Sequence, residues 1–150
     1  MAQTLERFAG RDAVTAFARQ LVFAAAIGNL DMHAKNISIF HYPDASVALT
    51  PAYDQVPLRH QNTDGRLALA LGGEYVHANL TKTHIAAELL SWESRAFANG
   101  AEVDSFVESF LEHCLSALEE VPPVMGAYPL LVESIKSFAA NLLTGKPTGK

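Results

Sequence analysis

Three side chains of this sequence have the types and the spacing expected of a site that binds phosphate groups and metal ions. Asp31 and Asn36 stand five residues apart, and Asp54 follows a short way downstream. In phosphoryl-transfer sites with an Asp-x-x-x-x-Asn loop, the aspartate accepts the proton of the substrate hydroxyl, while the asparagine and a later aspartate hold Mg²⁺. Magnesium prefers hard oxygen ligands, which carboxylate and amide groups supply. The three residues therefore predict a metal–phosphate site.

A short hairpin is predicted to bring these side chains together. Two β-prone runs, residues 36–41 and 46–50, are separated by a Tyr-Pro-Asp-Ala segment that is typical of a turn. Folded as an antiparallel pair, the runs place Asn36 and the residues after the second run at the same open end. Asp31 and Asp54 then approach this end from the two flanking loops.

The residues around this site resemble a known family. The stretch Gly28–Asn36, the hairpin, and the sequence Leu49-Thr50-Pro51-Ala52-Tyr53-Asp54 resemble the C-terminal domain of HipA-type serine/threonine kinases, the toxins of bacterial toxin–antitoxin modules. The similarity continues through residues 67–74 and the helical segment after them. It covers most of the chain, although only residues 28–54 are strongly diagnostic.

The resemblance implies a role for each candidate residue. Asp31 would be the catalytic base, and Asn36 and Asp54 would bind the Mg²⁺ that accompanies ATP. His33 and Lys35 are further catalytic candidates. His33 would contact phosphate or brace the loop. Lys35 would orient a phosphate or the substrate-binding loop, and the alternative is that it is a solvated surface lysine. The neighbouring Asn29 is interpreted as an ordinary helix-end residue.

The resemblance also implies the fold class, which is α+β and mainly helical, like the C-terminal large lobe of a protein kinase with a catalytic β-hairpin. Residues 1–150 show no repeat or linker, so one domain is expected. Kinases of this type have an N-terminal lobe with a glycine-rich loop and a strand lysine. Neither is found upstream of Asp31, where 30 residues are too few for such a lobe. We therefore expect the chain to be a fragment of a longer kinase.

Apolar spacing predicts helices on both sides of the hairpin. After a loose lead-in over residues 1–10, a helix is expected from about residue 13 to 27, ended by Gly28. A short strand is expected over residues 66–71, ended by two glycines. Three later helices are predicted. The first is capped by Thr81 or Thr83 and runs to about residue 98, and the others cover about 102–121 and 129–143. Residues 146–150 are expected to be frayed.

Composition excludes several classes of protein. The net charge of −5 argues against a nucleic-acid surface, which usually needs clustered Lys and Arg. The longest apolar run, Leu21–Ile27, is far shorter than the roughly 20 residues that cross a bilayer, and no signal-peptide pattern is present. The single cysteine, Cys114, excludes an internal disulfide and fits a reducing compartment. A cytoplasmic protein without a membrane partner is expected.

These observations support three hypotheses on function. The first is the catalytic-lobe portion of an ATP- and Mg²⁺-dependent serine/threonine kinase of HipA type, which acts on a protein substrate and is inactive as an isolated chain because the nucleotide-covering lobe is missing. The second is a non-catalytic binding module that pairs with a helix-turn-helix antitoxin or a separate N-terminal lobe. The third is a relative of small-molecule phosphotransferases.

Overall fold

Helix α1 spans Ala2–Ile27 in the computed structural model, which describes residues 1–128 and 130–149. It consists of two helical segments joined across a kink at Gly10, where φ is 82° and ψ is 178°. The loose lead-in expected over residues 1–10 is therefore wrong. Leu5 is buried in a small apolar cluster with residues of the second segment such as Phe17, and this burial stabilises a helix too short to form alone.

The predicted hairpin follows α1. After a single 3-10 turn, Ala34–Asn36, strand β1 (Ile39–His41) pairs antiparallel with strand β2 (Val47–Leu49). The hairpin lies against α1, where the side-chain amide of Gln20 donates a hydrogen bond to the carbonyl of Thr50, with an N···O distance of 3.1 Å. Contact with α1 supports a two-stranded ribbon that would be only marginally stable by itself.

A second antiparallel pair contains one strand that was predicted and one that was not. Strand β3 spans Arg66–Leu71 as expected, and β4 spans Glu74–Val76. Gly72 and Gly73 join them with positive φ at both positions, which is the geometry of a tight hairpin turn. The sequence reasoning took the two glycines as the end of a strand and missed β4, because three residues are too few for a clear periodic signal.

The helix after β4 is shorter than predicted. Helix α2 spans Lys82–Ser91 rather than running to residue 98. The chain turns at Glu93, where φ is 50°, and the next residues hydrogen bond to Glu6 of the first α1 segment. The Glu6 carboxylate accepts from the Ser94 hydroxyl at 2.9 Å and from the Arg95 guanidinium at 3.1 Å. These contacts between segments far apart in sequence replace the last turns of the expected helix.

The last two helices agree with the predicted pattern. Helix α3 spans Gly100–Glu120, and the side chain of Asn99 caps its start by accepting a 3.0 Å hydrogen bond from the Glu102 amide. Helix α4 spans Leu131–Leu143. The predicted start of this helix at Pro129 lies outside the described residues.

Apolar side chains from all of these helices and from β3 form one main core. Its members include Val22, Ala25, Leu67, Leu89, Val107 and Leu142. Burial of a Val or Leu side chain contributes roughly 1.5–3 kcal/mol relative to exposure. The loop after α1 is tied to this core by the Ala68 amide, which donates a 2.8 Å hydrogen bond to the carbonyl of Leu30.

The C-terminal tail is ordered against the core, so the frayed end predicted after Gly145 is wrong for residues 146–149; Lys150 lies outside the described residues. Thr148 is 1% exposed. Its amide donates to the carbonyl of Leu80 at 2.9 Å, its carbonyl accepts from the side chain of Asn141 at 3.1 Å, and its hydroxyl donates to the carbonyl of His77. A polar residue buried with all these partners explains why the tail packs down.

The α+β, mainly helical class is confirmed, with four α-helices and two small antiparallel sheets among the described residues. No helix in the described part of the chain has the length and apolar character needed to cross a membrane. The likeness to the large lobe of a protein kinase and the assignment of one domain to residues 1–150 stay predictions.

Candidate active site

The loop that carries Asp31 begins at the end of α1. Gly28 adopts the left-handed conformation, with φ 70° and ψ 39°, and its carbonyl accepts hydrogen bonds from the amides of Leu58 and Arg59 at 2.9 and 3.0 Å. A Cβ at Gly28 would lie 2.7 Å from the Cβ of Arg59, so only glycine fits this crossing. The buried helix thus ends in a rigid turn after which Asn29 and Leu30 stay buried and Asp31 reaches the surface.

Asn36 and Asp54 are in direct contact at the open end of the hairpin. The side-chain amide of Asn36 donates to Oδ2 of Asp54 at 2.7 Å, while Oδ1 of Asn36 accepts from the His33 amide at 3.3 Å. Asn36 is 3% exposed, whereas Asp54 is exposed and has a positive φ of 55°. The structure therefore brings together the two residues that the sequence analysis assigned to metal binding.

Asp31 lies on the loop that leads to Asn36, and its carboxylate is open to solvent. The exposed fraction of its side chain is 65%, and its Oδ1 is 4.0 Å from Nε2 of His33. Its amide donates a 3.0 Å hydrogen bond to the side chain of Asn29. An accessible carboxylate on a backbone held in this way can receive a proton from a hydroxyl that approaches from outside.

Asn29 is a site residue that the sequence reasoning missed. It is 2% exposed, and besides accepting from Asp31 it donates to the carbonyl of Asp54 at 3.4 Å and to the side chain of Gln55 at 3.3 Å. One buried amide thus connects the two loops that carry the acidic residues. The available signal was the position of Asn29 between the helix-ending Gly28 and the apolar Leu30. An amide buried at such a position needs hydrogen-bond partners, which indicates a structural role.

His33 and Lys35 lie on the same loop with different surroundings. The His33 ring is partly buried, its Nε2 faces Asp31, and its Nδ1 is buried without a hydrogen-bond partner in the described part of the chain. Lys35 is exposed, and its ammonium group makes no hydrogen bond or ion pair within residues 1–128 and 130–149. Its carbonyl accepts a 2.7 Å hydrogen bond from the hydroxyl of Tyr53.

The donor atoms of the site suit Mg²⁺. Among the described residues, no cluster of three or more His, Cys, Asp or Glu could hold a metal by itself. Mg²⁺ does not need one, because it usually keeps several waters and binds through one or two carboxylates together with substrate phosphates. The hydrogen bond from Asn36 uses only Oδ2 of Asp54, which leaves Oδ1 for a metal ion. The hydrogen bond from the His33 amide uses one lone pair of the Asn36 side-chain oxygen, which leaves the other for a metal ion. Both residues therefore fit a magnesium–phosphate complex.

The sequence of the chain is similar to a known family and, over a short stretch, to a named protein. The sequence model of the family described as HipA-like C-terminal domain matches residues 1–121. A 42-residue stretch is 57% identical to a protein of Sinorhizobium fredii (strain NBRC 101917 / NGR234) that is named "Putative kinase Y4dM". This match covers 27% of the present chain and 10% of that relative, so the chain spans only a small part of the relative's length.

Proposed function

This chain belongs to the HipA-like C-terminal domain family, and on that premise we propose that it is the catalytic-lobe portion of a HipA-like serine/threonine protein kinase. The observation that carries the proposal is the 2.7 Å contact between Asn36 and Asp54, with the exposed carboxylate of Asp31 on the adjoining loop. ATP is the phosphoryl donor, and a protein hydroxyl is the acceptor.

In the proposed reaction, the hydroxyl oxygen of the substrate forms a bond to the γ-phosphorus of ATP while the bond between this phosphorus and the β,γ-bridging oxygen breaks. Asp31 orients the hydroxyl and accepts its proton, and ADP leaves with the electron pair of the broken bond. Asn36 and Asp54 would hold Mg²⁺, which would neutralise phosphate charge. Catalysis of this kind is mainly positioning and electrostatic stabilisation, which suits a site fixed by hydrogen bonds between loops.

Two neighbouring residues have supporting roles in the proposal. His33 lies 4.0 Å from Asp31 and keeps its loop in place through the bond from its amide to Asn36. The ammonium group of Lys35 forms no ion pair with an acidic side chain of the described residues. This group is therefore available to a phosphate or to an acidic residue of the substrate. A cytoplasmic location and a helix-turn-helix antitoxin partner belong to the same proposal.

Phosphoryl transfer from this chain alone is expected to be weak or absent, because the 150 residues contain no glycine-rich loop to cover the phosphates. The test is transfer of label from γ-labelled ATP to protein, first with the chain alone and then after mixing with a separately expressed N-terminal region of a HipA-like kinase. Turnover is expected only in the mixture, and Asp31→Asn should abolish it.

Asp44→Asn is the matched control, because it removes the same charge from an exposed aspartate at the opposite end of the hairpin. In the mixture, this variant should turn over ATP at the rate of the unmodified chain. Equal turnover by the Asp31→Asn mixture would contradict the role of Asp31. Robust turnover by the chain alone would show that the lobe is catalytically complete.

A second candidate function, a binding module, is favoured by an apolar groove between the first segment of α1 and the hairpin. The groove has a volume of about 350 Å³ and is lined by side chains that include Leu5, Phe8, Ile39 and Leu49. Phe8 is 58% exposed and Ile39 is 43% exposed. Tight association with the N-terminal region without ATP turnover would support this candidate over the kinase.

A further inference from the structure

The hydroxyl of Tyr53 joins the two loops that carry Asn36 and Asp54. It lies 2.7 Å from the carbonyl oxygen of Lys35 and 2.7 Å from the hydroxyl of Ser38. A phenol has one proton to donate, so the Tyr53 hydroxyl donates to the Lys35 carbonyl and accepts from Ser38. Both of its hydrogen bonds therefore go to residues that flank Asn36.

The position of these bonds matters for the metal-binding pair. The Lys35 carbonyl belongs to the peptide bond whose nitrogen is that of Asn36, and Tyr53 is the residue immediately before Asp54. A tyrosine anchored at its hydroxyl therefore fixes the Asp54 backbone relative to the Asn36 backbone. Asp54 needs such support, since its φ of 55° is uncommon for a residue with a side chain and persists only where the surroundings hold it.

We propose that Tyr53 is a positioning residue whose hydroxyl sets the separation between the Asn36 amide and the Asp54 carboxylate, and thereby the metal affinity of the site. The part of this inference that concerns metal rests on the proposed function. Partners that orient metal ligands without touching the metal typically change metal affinity by about 10- to 100-fold when they are removed. Tyr53 acts through the backbone, so the effect on affinity is expected near the lower end.

Tyr53→Phe is the informative variant because it removes only the hydroxyl. The Tyr53 side chain lies at the surface with 41% exposure, so water can satisfy the Lys35 carbonyl and the fold should be retained. Tyr42→Phe is the matched control. Tyr42 lies on the same hairpin with 47% exposure, and its hydroxyl has no hydrogen-bond partner among the described residues.

The first readout is the side-chain amide signal of Asn36 in ¹H–¹⁵N NMR spectra of the full chain without metal. Loss of the Tyr53 hydroxyl should shift this signal, because its hydrogen bond to Asp54 lengthens, whereas Tyr42→Phe should leave it unchanged. The second readout is the dissociation constant for Mn²⁺, used as a paramagnetic probe of the Mg²⁺ site. It should rise about tenfold in Tyr53→Phe, with a melting temperature close to that of Tyr42→Phe.

The outcomes separate this inference from the proposed function. If the chain binds Mn²⁺ through Asp54 but Tyr53→Phe changes neither the Asn36 signal nor the Mn²⁺ affinity, the role of Tyr53 is overturned and the metal site stands. If the Asn36 signal shifts but Mn²⁺ never binds through Asp54, Tyr53 positions the pair and the proposed metal function fails. A lower melting temperature with an unchanged Asn36 signal and affinity would reduce Tyr53 to a structural residue.

Discussion

At the scale of single residues, the site is a closed series of hydrogen bonds rather than a set of independent side chains. Asn29 binds the backbone of both Asp31 and Asp54, and Asn36 binds the Asp54 carboxylate and the His33 amide. The two buried side-chain amides, those of Asn29 and Asn36, each donate a hydrogen bond to Asp54 on the other loop. Removing one member should therefore loosen the others, which makes the buried Asn29 the most sensitive position.

Asn29→Ala should lower the free energy of unfolding by about 1–3 kcal/mol, because it leaves buried partners unsatisfied. Urea unfolding followed by the fluorescence of Trp92, the single tryptophan of the chain, measures this loss. Trp92 stacks on Phe17 with ring centroids 4.8 Å apart, so its environment changes when the helices separate. Asn62→Ala, in an exposed loop, is the control and should change stability by less than about 0.5 kcal/mol. Equal stability of the two variants would contradict the assigned role of Asn29.

Residue types and spacing were enough to predict that Asn36 and Asp54 meet at the open end of the hairpin. Asp31, Asn36 and Asp54 could be selected because their order and spacing match the Asp-x-x-x-x-Asn loop and later aspartate of phosphoryl-transfer sites. Asn29 and Tyr53 could not, because their roles depend on hydrogen bonds to the opposite loop. Nothing in the local sequence distinguishes an asparagine bonded to a distant backbone from one that ends a helix.

At the scale of elements, the site depends on how α1 ends and where the hairpin lies on it. The left-handed Gly28 and its bonds to the loop after Asp54 hold both site loops against the same helix end. One turn earlier, the Ala25 carbonyl accepts from the buried ring of His77 at 2.8 Å. Thr148 of the C-terminal tail and Phe138 of α4 contact the same ring. His77 thus joins α1, α4 and the tail.

The stability of the chain should fall as the pH drops below about 6.5, and His77 should be a cause. Burial lowers the pKa of His77 from its usual 6.5, the hydrogen bond to Ala25 opposes this shift, and the charge of Arg59 adds to it. Above pH 6.5 the ring is neutral in both states and its contribution is fully present. As the pH falls from 6.5 toward the lowered folded-state pKa, the unfolded chain takes up a proton that the folded chain does not, so folding is disfavoured.

The measurement is urea unfolding at a series of pH values between 7.5 and 5.5. In His77→Gln the loss of stability per pH unit should be smaller than in the unmodified chain, whatever the absolute stability of the variant. His113→Gln, which alters an exposed histidine of α3, should keep the original slope. An unchanged slope in His77→Gln would show that this ring does not titrate differently in the folded and unfolded chain.

The helices that were predicted correctly are those with long periodic patterns, namely the second segment of α1, α3 and α4. The errors concern segments whose structure depends on distant partners. Glu6 binds Ser94 and Arg95 and so both orders the N-terminal segment and shortens α2. Thr148 orders the tail through His77. Local propensity contains no information on either pairing, so both segments were predicted as loose or helical by default.

At the scale of the whole molecule, the arrangement is a helical body that presents one hydrogen-bonded site at the end of its longest helix. The net charge of −5 disfavours the approach of phosphates, so the proposed kinase role needs a cation to accompany ATP. The family model of the HipA-like C-terminal domain covers the hairpin and both loops of the site. The proposed kinase role then requires that the site bind a divalent cation together with nucleotide.

The most direct test of the central claim is a titration of the chain with Mn²⁺ in the presence of ATP, followed by electron paramagnetic resonance. The account predicts a site in the unmodified chain that is weakened at least tenfold by Asp54→Asn and by Asn36→Ala, and that is unaffected by Asp44→Asn. Equal Mn²⁺ binding by the unmodified chain and Asp54→Asn would contradict the claim that this pair forms a metal–nucleotide site.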